Sequence, residues 1–341
     1  MTIRATGARS RVPVTAFLPI GLAALALAVL ASLLFGARVI SVGEVLGALG
    51  GDKSVAATVI WELRVPRTLL GLLVGACLGA AGVLAQSATR NPLADPGLLG
   101  ISSGAAVAIV VGSAFFGIAA GPARVGLALV GAALATIAVY AFAARSPEGI
   151  TPVNMTLAGM ALTALLGAVV SGVVLFDAAT MDQYRFWVVG ALSVPTPAIL
   201  IPATVCAAGG AVLAVAMSGS LNTLALGDDT AAGLGVKVMR TRVLAGAAVV
   251  LLSGTAVALA GPIAFVGLII PHMARAIVGQ DVRRVLVTAT VLGPVLLLAA
   301  DVLGRVVARP AEVQAGVVTA LVGTPFFIWL TRRPRRRERL S

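Results

Sequence analysis

Side chains that could do chemistry are few in this sequence. The 341 residues include 13 acidic residues, one histidine and two cysteines. His272 stands alone, and we interpret it as a packed residue at a helix end, because a single histidine cannot build a metal site. Cys77 and Cys206 lie inside apolar runs, which favours two small buried side chains over a disulfide. The sequence therefore predicts neither a metal site nor a cofactor, and it shows no nucleophile–base pair for hydrolysis.

The sequence also lacks a nucleotide-binding motif. A phosphate-binding loop needs two glycines with four residues between them, followed directly by Lys and then Ser or Thr. The stretch most similar to this motif, Gly50 to Ser54, lacks that spacing. Any energy from ATP must therefore come from another chain.

Two arginines, Arg64 and Arg67, flank Pro66 at the head of a long apolar run. Cations at a helix N-terminus oppose the helix dipole. Their placement predicts either a carboxylate partner from outside the chain or contact with lipid phosphates. A third arginine, Arg305, follows Asp301 by one helical turn, which makes the two natural partners.

Residues 218–240 form the longest predicted connection between apolar runs on their side of the membrane. Asp228 and Asp229 can cap a short helix, and Gly233 or Gly235 can end it. A short helix outside the membrane is typical of a surface on which a soluble partner docks. On the opposite side, Tyr184, Phe186 and Trp187 fit either an interfacial aromatic belt or a short helix, and we favour the belt.

The elements that must position these residues are transmembrane helices. Hydrophobic residues make up 59% of the chain and charged residues 11%, too little polar surface for a soluble protein of this length. The runs are long and lack the alternation of barrel strands. We predict an all-α polytopic protein, a single transmembrane domain over residues 1–341, with about ten spans: 13–35, 65–87, 97–116, 122–143, 152–175, 197–217, 243–260, 263–278, 285–301 and 314–331.

Charge placement predicts the orientation. Of 25 lysines and arginines, 17 fall on the side of the N-terminus, and six of these lie in the tail 332–341. Basic segments favour the cytoplasm. We expect residues 1–12, the connection 218–240 and the basic tail to be cytoplasmic. The tail suits anionic lipid better than nucleic acid, which we exclude as a partner.

Two further patterns concern packing and ancestry. Glycines recur every fourth residue, as in Gly71, Gly75 and Gly79, which favours close helix contacts. A pattern of helix, proline and short helix around Pro92 recurs around Pro262. Spans 2–5 and 7–10 would run in opposite directions. The sequence thus suggests an inverted repeat, a feature of transporter architecture.

Four stretches together carry a family resemblance. They are Arg64-Val-Pro-Arg67, Arg90-Asn-Pro-Leu-Ala-Asp-Pro-Gly through Gly104, Gly261-Pro-Ile-Ala-Phe through His272, and Asp301–Arg305 followed by residues 316–330. In this order they resemble the iron-siderophore and cobalamin permease family of ABC importers, over roughly residues 15–332.

The resemblance implies an assembly in the bacterial cytoplasmic (inner) membrane. A second permease subunit, identical or related, would complete the pathway. Two ATP-binding subunits would dock on the cytoplasmic side, and an extracytoplasmic substrate-binding protein would deliver the cargo. By resemblance, Arg64, Arg67 and Arg305 would meet the binding protein. The coupling contact with the ATPase would involve residues of the 218–240 connection: Leu221, Thr223, Leu224, Asp228, Ala231, Gly233, Leu234 and Gly235.

We therefore expect a permease subunit that catalyses no bond chemistry and translocates ferric siderophores. Cobalamin or haem is the alternative cargo within the family. A secondary carrier or exporter is the alternative from another class. It is disfavoured because carriers of that class place ionisable groups near the membrane midplane, where this sequence has almost none. A membrane-embedded enzyme is third, since no catalytic cluster is visible.

Overall fold

The computed structural model describes residues 13–36, 39–118, 121–147, 151–194, 196–309 and 311–332. Over these residues all regular secondary structure is helical and no strand is present, which confirms the all-α prediction. The predicted N-terminal segment 1–12 and residues 333–341 of the tail lie outside the described residues.

Fourteen α-helices, one π-helical segment and one 3₁₀ turn make up the described chain. They are α1 Val14–Leu34, α2 Val42–Leu49, α3 Val55–Thr58, the π segment Val59–Arg64, α4 Val65–Thr89, the 3₁₀ turn Pro96–Leu99, α5 Ile101–Phe116, α6 Pro122–Ala144, α7 Pro152–Phe176, α8 Ala178–Trp187, α9 Pro197–Leu224, α10 Asp228–Gly233, α11 Val238–Ala260, α12 Val266–Val278, α13 Val282–Val307 and α14 Ala315–Arg332.

Ten of these helices occupy the ten predicted spans. Seven are long and apolar enough to cross a membrane: α1, the stretch Val55–Thr89 that contains α4, α6, α7, α9, α11 and α13. The other three, α5, α12 and α14, are shorter. The predicted span at 263–278 is present as α12, which begins three residues later, and its 13 residues rise only about 20 Å.

The start of the second span also differs from the prediction. The helix does not begin at Val65 but runs without a break from Val55 to Thr89 through the π segment. Arg64 and Arg67 therefore lie inside a continuous helix. The expected conflict with a helix dipole at this point is wrong, since the true N-terminus is about two turns earlier.

Two close backbone approaches hold the centre of the bundle together. A Cβ atom on Gly82 of α4 would lie 1.9 Å from the carbonyl oxygen of Gly267 at the start of α12, and one on Gly75 would lie 2.6 Å from Pro294 Cα of α13. Only glycine fits at such distances. The glycine repeat of α4 is thus a packing surface, as the sequence predicts.

The two proline-led segments meet inside the bundle. A Cβ on Gly267 would lie 2.9 Å from Cδ of Pro96, at the 3₁₀ turn that precedes α5. The 3₁₀ turn before α5 and the start of α12 therefore lie next to each other, both beside α4. This adjacency agrees with the suggested inverted repeat, which stays a prediction.

Candidate functional site

At one end of the bundle, a single carboxylate joins two of the three predicted docking arginines. Arg67 of α4 donates from Nη2 to Asp301 Oδ1 at 2.8 Å and from Nε to the same oxygen at 3.2 Å. Arg305, one turn beyond Asp301 on α13, pairs with Oδ2 at 3.0 Å. The predicted Asp301–Arg305 pair is confirmed. Asp301 therefore lies between two guanidinium groups with 1% of its side chain exposed.

Hydroxyl groups extend this cluster to the end of α1. Arg305 donates to the carbonyl oxygen of Ser32 at 3.2 Å and to its Oγ at 3.0 Å. The Ser32 hydroxyl in turn lies 2.8 Å from Oγ1 of Thr68 on α4. Three helices are thus held together by one buried polar network, which we call the outer cluster: Ser32, Thr68, Arg67, Asp301 and Arg305.

Arg64 adjoins the outer cluster but turns inward. Its Nη1 donates to the carbonyl oxygen of Leu33, and Arg64 and Arg305 both border Gly36. Arg64 is 5% exposed and Arg305 is 2% exposed. Side chains so buried hold α1 against α4 and α13, and the docking role expected for these two arginines stays a prediction.

Arg67 alone of the three reaches the surface. Its side chain is 20% exposed, and Nη1 donates to Glu312 Oε2 at 2.8 Å, where Glu312 is 39% exposed. Sequence reasoning did not find Glu312, since 245 residues separate the two positions. The Arg67–Glu312 pair is the charged rim of the outer cluster.

At the opposite end, α10 lies between α9 and α11. The predicted short helix is present, but α9 continues to Leu224 and α11 begins at Val238, so the connection is shorter than the predicted 218–240. Leu221 and Leu224 are fully buried on α9, and Ala231 is fully buried on α10. Leu234 after α10 is 64% exposed.

The remaining predicted coupling residues divide between helix and turn. Thr223 Oγ1 donates back to the carbonyl oxygen of Gly219. Gly233 is the last residue of α10, and Gly235 has φ +84°, which allows the chain to leave the helix. These positions frame α10 as a small, separate helix with a buried side and an exposed side.

The predicted capping role of Asp228 is wrong. Gly227 is the N-cap of α10, with φ +110° and no side-chain hydrogen bond. Asp228 instead pairs with Arg90 at 3.0 Å and with Arg242 at 2.9 Å. The acidic residue connects α10 to the bundle.

A buried glutamine that sequence reasoning missed joins α4 to α12. Pro271 has no N–H, so the carbonyl oxygen of Gly267, four residues earlier, lacks its helical donor. Gln86 Nε2 supplies a donor to Gly267 at 3.3 Å, and Gln86 Oε1 accepts from Arg275 Nη1. A lone glutamine within an apolar helix, together with a proline inside another, was the available signal.

The segment that contains Tyr184, Phe186 and Trp187 forms the short helix α8. Asp177 caps α8 by accepting from the backbone N–H of Ala179 at 3.1 Å. Thr180 Oγ1 donates to Asp177 Oδ2 at 2.5 Å, and this hydrogen bond lowers the pKa of the Asp177 carboxyl. Tyr184, Phe186 and Trp187 all lie on α8, so the short helix is present, and the interfacial belt stays a prediction.

Within the described residues, no group of three or more His, Cys, Asp or Glu side chains could hold a metal ion. What the arrangement offers is mechanical: a buried ionic cluster at one end, a separate small helix at the other, and α4 running between them.

Known proteins share this architecture. Residues 24–333 match the FecCD transport family. The chain is 43% identical over 310 residues to the ferric enterobactin transport system permease protein FepD of Escherichia coli, covering 89% of this chain and 91% of that protein. It is 36% identical to the hemin transport system permease protein HmuU of Yersinia pestis, covering 82% and 85%. A solved metal-chelate type ABC transporter in an inward-facing conformation superposes with a TM-score of 0.80 at 29% identity, covering 92% of this chain and 98% of that one.

Proposed function

The chain belongs to the FecCD transport family, and from that premise we propose that it is the permease subunit through which an ATP-driven importer translocates ferric siderophore complexes. As a permease of this family it is a multi-pass membrane protein and a transport subunit rather than an enzyme. The 43% identity to a ferric enterobactin permease, over nine-tenths of both chains, carries the choice of cargo. Hemin is the second candidate, because a hemin permease is 36% identical over most of its length.

Membership of an ABC importer family implies ATP-binding subunits and a binding protein. We propose two ATPases, a second permease subunit, identical or related, and an extracytoplasmic binding protein. The ATPase contact is assigned to α10 and the end of α9, where Leu234 is exposed beside fully buried Ala231. A helix of this kind can press on a soluble partner with its outer side while its inner side stays packed.

The binding protein is proposed to dock over the outer cluster. Arg67 and Glu312 supply partly exposed charges there, whereas Arg64 and Arg305 position the helix ends beneath them. Opposite charges at a docking surface mainly accelerate association and fix register. On this assignment α10 is cytoplasmic, the outer cluster faces outward, and both termini are cytoplasmic, as the lysine and arginine distribution favours.

The cargo is tested by uptake in a strain that lacks this gene. We expect iron-55 uptake from ferric siderophores to fall to background and to return with the gene on a plasmid. Hemin and cobalamin uptake serve as parallel arms in the same strain. Normal uptake of every ferric siderophore tested, with loss of hemin uptake, would replace the first cargo by the second.

A further inference from the structure

We propose that Asp228 is the joint through which movement of α10 reaches the transmembrane helices. The inference rests on the proposed role of α10 as the ATPase contact, and it makes Asp228 a positioning residue for coupling. One carboxylate would transmit displacement to two helices at once.

The contacts of Asp228 reach two different elements. Its Oδ1 lies 3.0 Å from Nη2 of Arg90, at the end of α4. Its Oδ2 lies 2.9 Å from Nη2 of Arg242, the fifth residue of α11, and that nitrogen also donates to Oδ1 at 3.1 Å. The carboxylate thus contacts the end of α4 and the beginning of α11.

The inner side of α10 consists of Asp228 and Ala231. They are three residues apart, so they share a face of the helix. Ala231 is fully buried, while Leu226 and Leu234, which flank α10, are each 64% exposed. The exposed apolar residues available to a partner therefore lie at the two ends of α10, and the ion pairs lie on its packed face.

Stability alone does not explain the arrangement. The side chains of Arg90 and Asp228 are 41% and 39% exposed, and exposed ion pairs contribute little to folding. Their placement matters more than their strength. Ion pairs that cost little to stretch and that connect α10 to two long helices suit the transmission of movement.

Arg90 has an unusual backbone conformation at the end of α4. It ends α4 in the left-handed conformation, with φ +52°, which is uncommon for a residue other than glycine. The turn that it opens leads to Pro96, which borders Gly267 at the start of α12. A pull on the Arg90 side chain therefore acts on the turn between α4 and α5.

Space for movement lies directly behind the joint. A cavity of 190 Å³ is lined by Thr89, Arg90, Tyr140, Thr151, Asp228 and Arg242. Because close packing resists displacement, a cavity bordered by all three charged partners is consistent with a small shift of α10.

The test uses the complete complex of permease, ATPase and binding protein in proteoliposomes. Iron-55 siderophore uptake and ATP hydrolysis are measured together, and the ATPase that co-purifies is quantified. For Asp228→Asn we expect the cargo transported per ATP to fall about tenfold with the ATPase still bound. Asp228→Glu should recover part of the loss. Asp229→Asn, an exposed neighbour, is the matched control and should match the wild type.

A double-mutant cycle separates a joint from a local defect. Arg90→Gln combined with Asp228→Asn should be no worse than either alone, whereas Arg90→Gln with Asp229→Asn should equal Arg90→Gln. Unchanged transport per ATP in Asp228→Asn, additive effects in the cycle, or loss of bound ATPase in Asp228→Asn would each overturn the proposal. A wild-type complex that neither binds the ATPase nor transports would instead overturn the proposed function.

Discussion

Asp301 and Arg67 lie 2.8 Å apart at one end of the bundle, and their ion pair joins α4 to α13 across 234 residues of sequence. Arg305 faces the other oxygen of the same carboxylate at 3.0 Å. The Asp301 side chain is 1% exposed, so it neutralises two guanidinium groups at a position with almost no access to water. This relationship makes the outer cluster a structural anchor as well as a candidate docking site.

Removal of the Asp301 charge should destabilise the protein strongly. Asp301→Asn leaves Arg305, and in part Arg67, without a counter-charge in a buried site, and breaking a buried pair in this way costs about 3–5 kcal/mol. We expect a lower thermal unfolding midpoint in detergent. The control is Asp182→Asn, whose pair with Arg185 is about 60% exposed on both sides and should cost less than about 1 kcal/mol. Equal midpoints for the two variants would show that the outer cluster is not an anchor.

Arg67→Gln should weaken docking of the binding protein without unfolding the permease. The amide can still donate to Asp301 but no longer carries charge, so association should slow and lose its salt dependence. Binding-protein affinity for the complex, measured at two salt concentrations, checks this. Arg185→Gln, on exposed α8, is the control. Restored affinity with a charge-altered binding protein would add support, whereas unchanged affinity at both salt concentrations would exclude Arg67 as a contact.

Gln86 and Pro271 should compensate each other. Gln86→Leu leaves the Gly267 carbonyl oxygen without a donor, which costs about 1–3 kcal/mol. Pro271→Ala supplies an N–H to the same carbonyl, so the double variant should lose less stability than Gln86→Leu alone. Thermal unfolding of the two single variants and the double variant measures this coupling. Strictly additive changes would mean that the Gly267 carbonyl is not what Gln86 stabilises.

Gly82→Ala should push α4 away from α12. The added methyl would lie 1.9 Å from the Gly267 carbonyl oxygen, and overpacking of this kind costs about 1–3 kcal/mol or more. Gly126→Ala on α6 is the matched control, since its methyl would meet nothing within 4 Å and alanine favours the helix. We expect a lower folded yield only for Gly82→Ala. A similar yield for both would contradict the close approach.

Ala231→Glu should uncouple ATP hydrolysis from uptake, because a charged side chain cannot occupy the fully buried inner side of α10. Ala232→Glu, at the exposed next position, is the control and should leave coupling intact. Uptake per ATP hydrolysed, measured in proteoliposomes, compares the two. Equal coupling in both variants would remove α10 from the ATPase contact.

The helices and the family could be predicted because both depend on short, continuous stretches of sequence. Long apolar runs give spans, the spacing of Asp301 and Arg305 gives a helical pair, and Asp228 to Gly235 gives a short helix. Family motifs such as Arg90 to Gly104 add the resemblance.

The contacts between distant residues were not predictable. Arg67 pairs with Asp301, and Gln86 donates a hydrogen bond to Gly267, only because the glycine surface of α4 lets α13 and α12 approach closely. The inward turn of Arg64 depends on a π segment that fills the stretch before Val65, and no simple residue pattern marks such a segment. Burial therefore had to be seen before docking residues could be separated from anchors.

Transport by the purified complex is the most direct measurement. Permease, ATPase and binding protein are reconstituted in proteoliposomes, and entry of an iron-55 siderophore is followed with ATP present or absent. We predict accumulation that requires both ATP and the binding protein and that exceeds accumulation of hemin or cobalamin. Entry driven by a proton gradient without ATP, or no ferric siderophore entry while hemin enters, would contradict the proposed function.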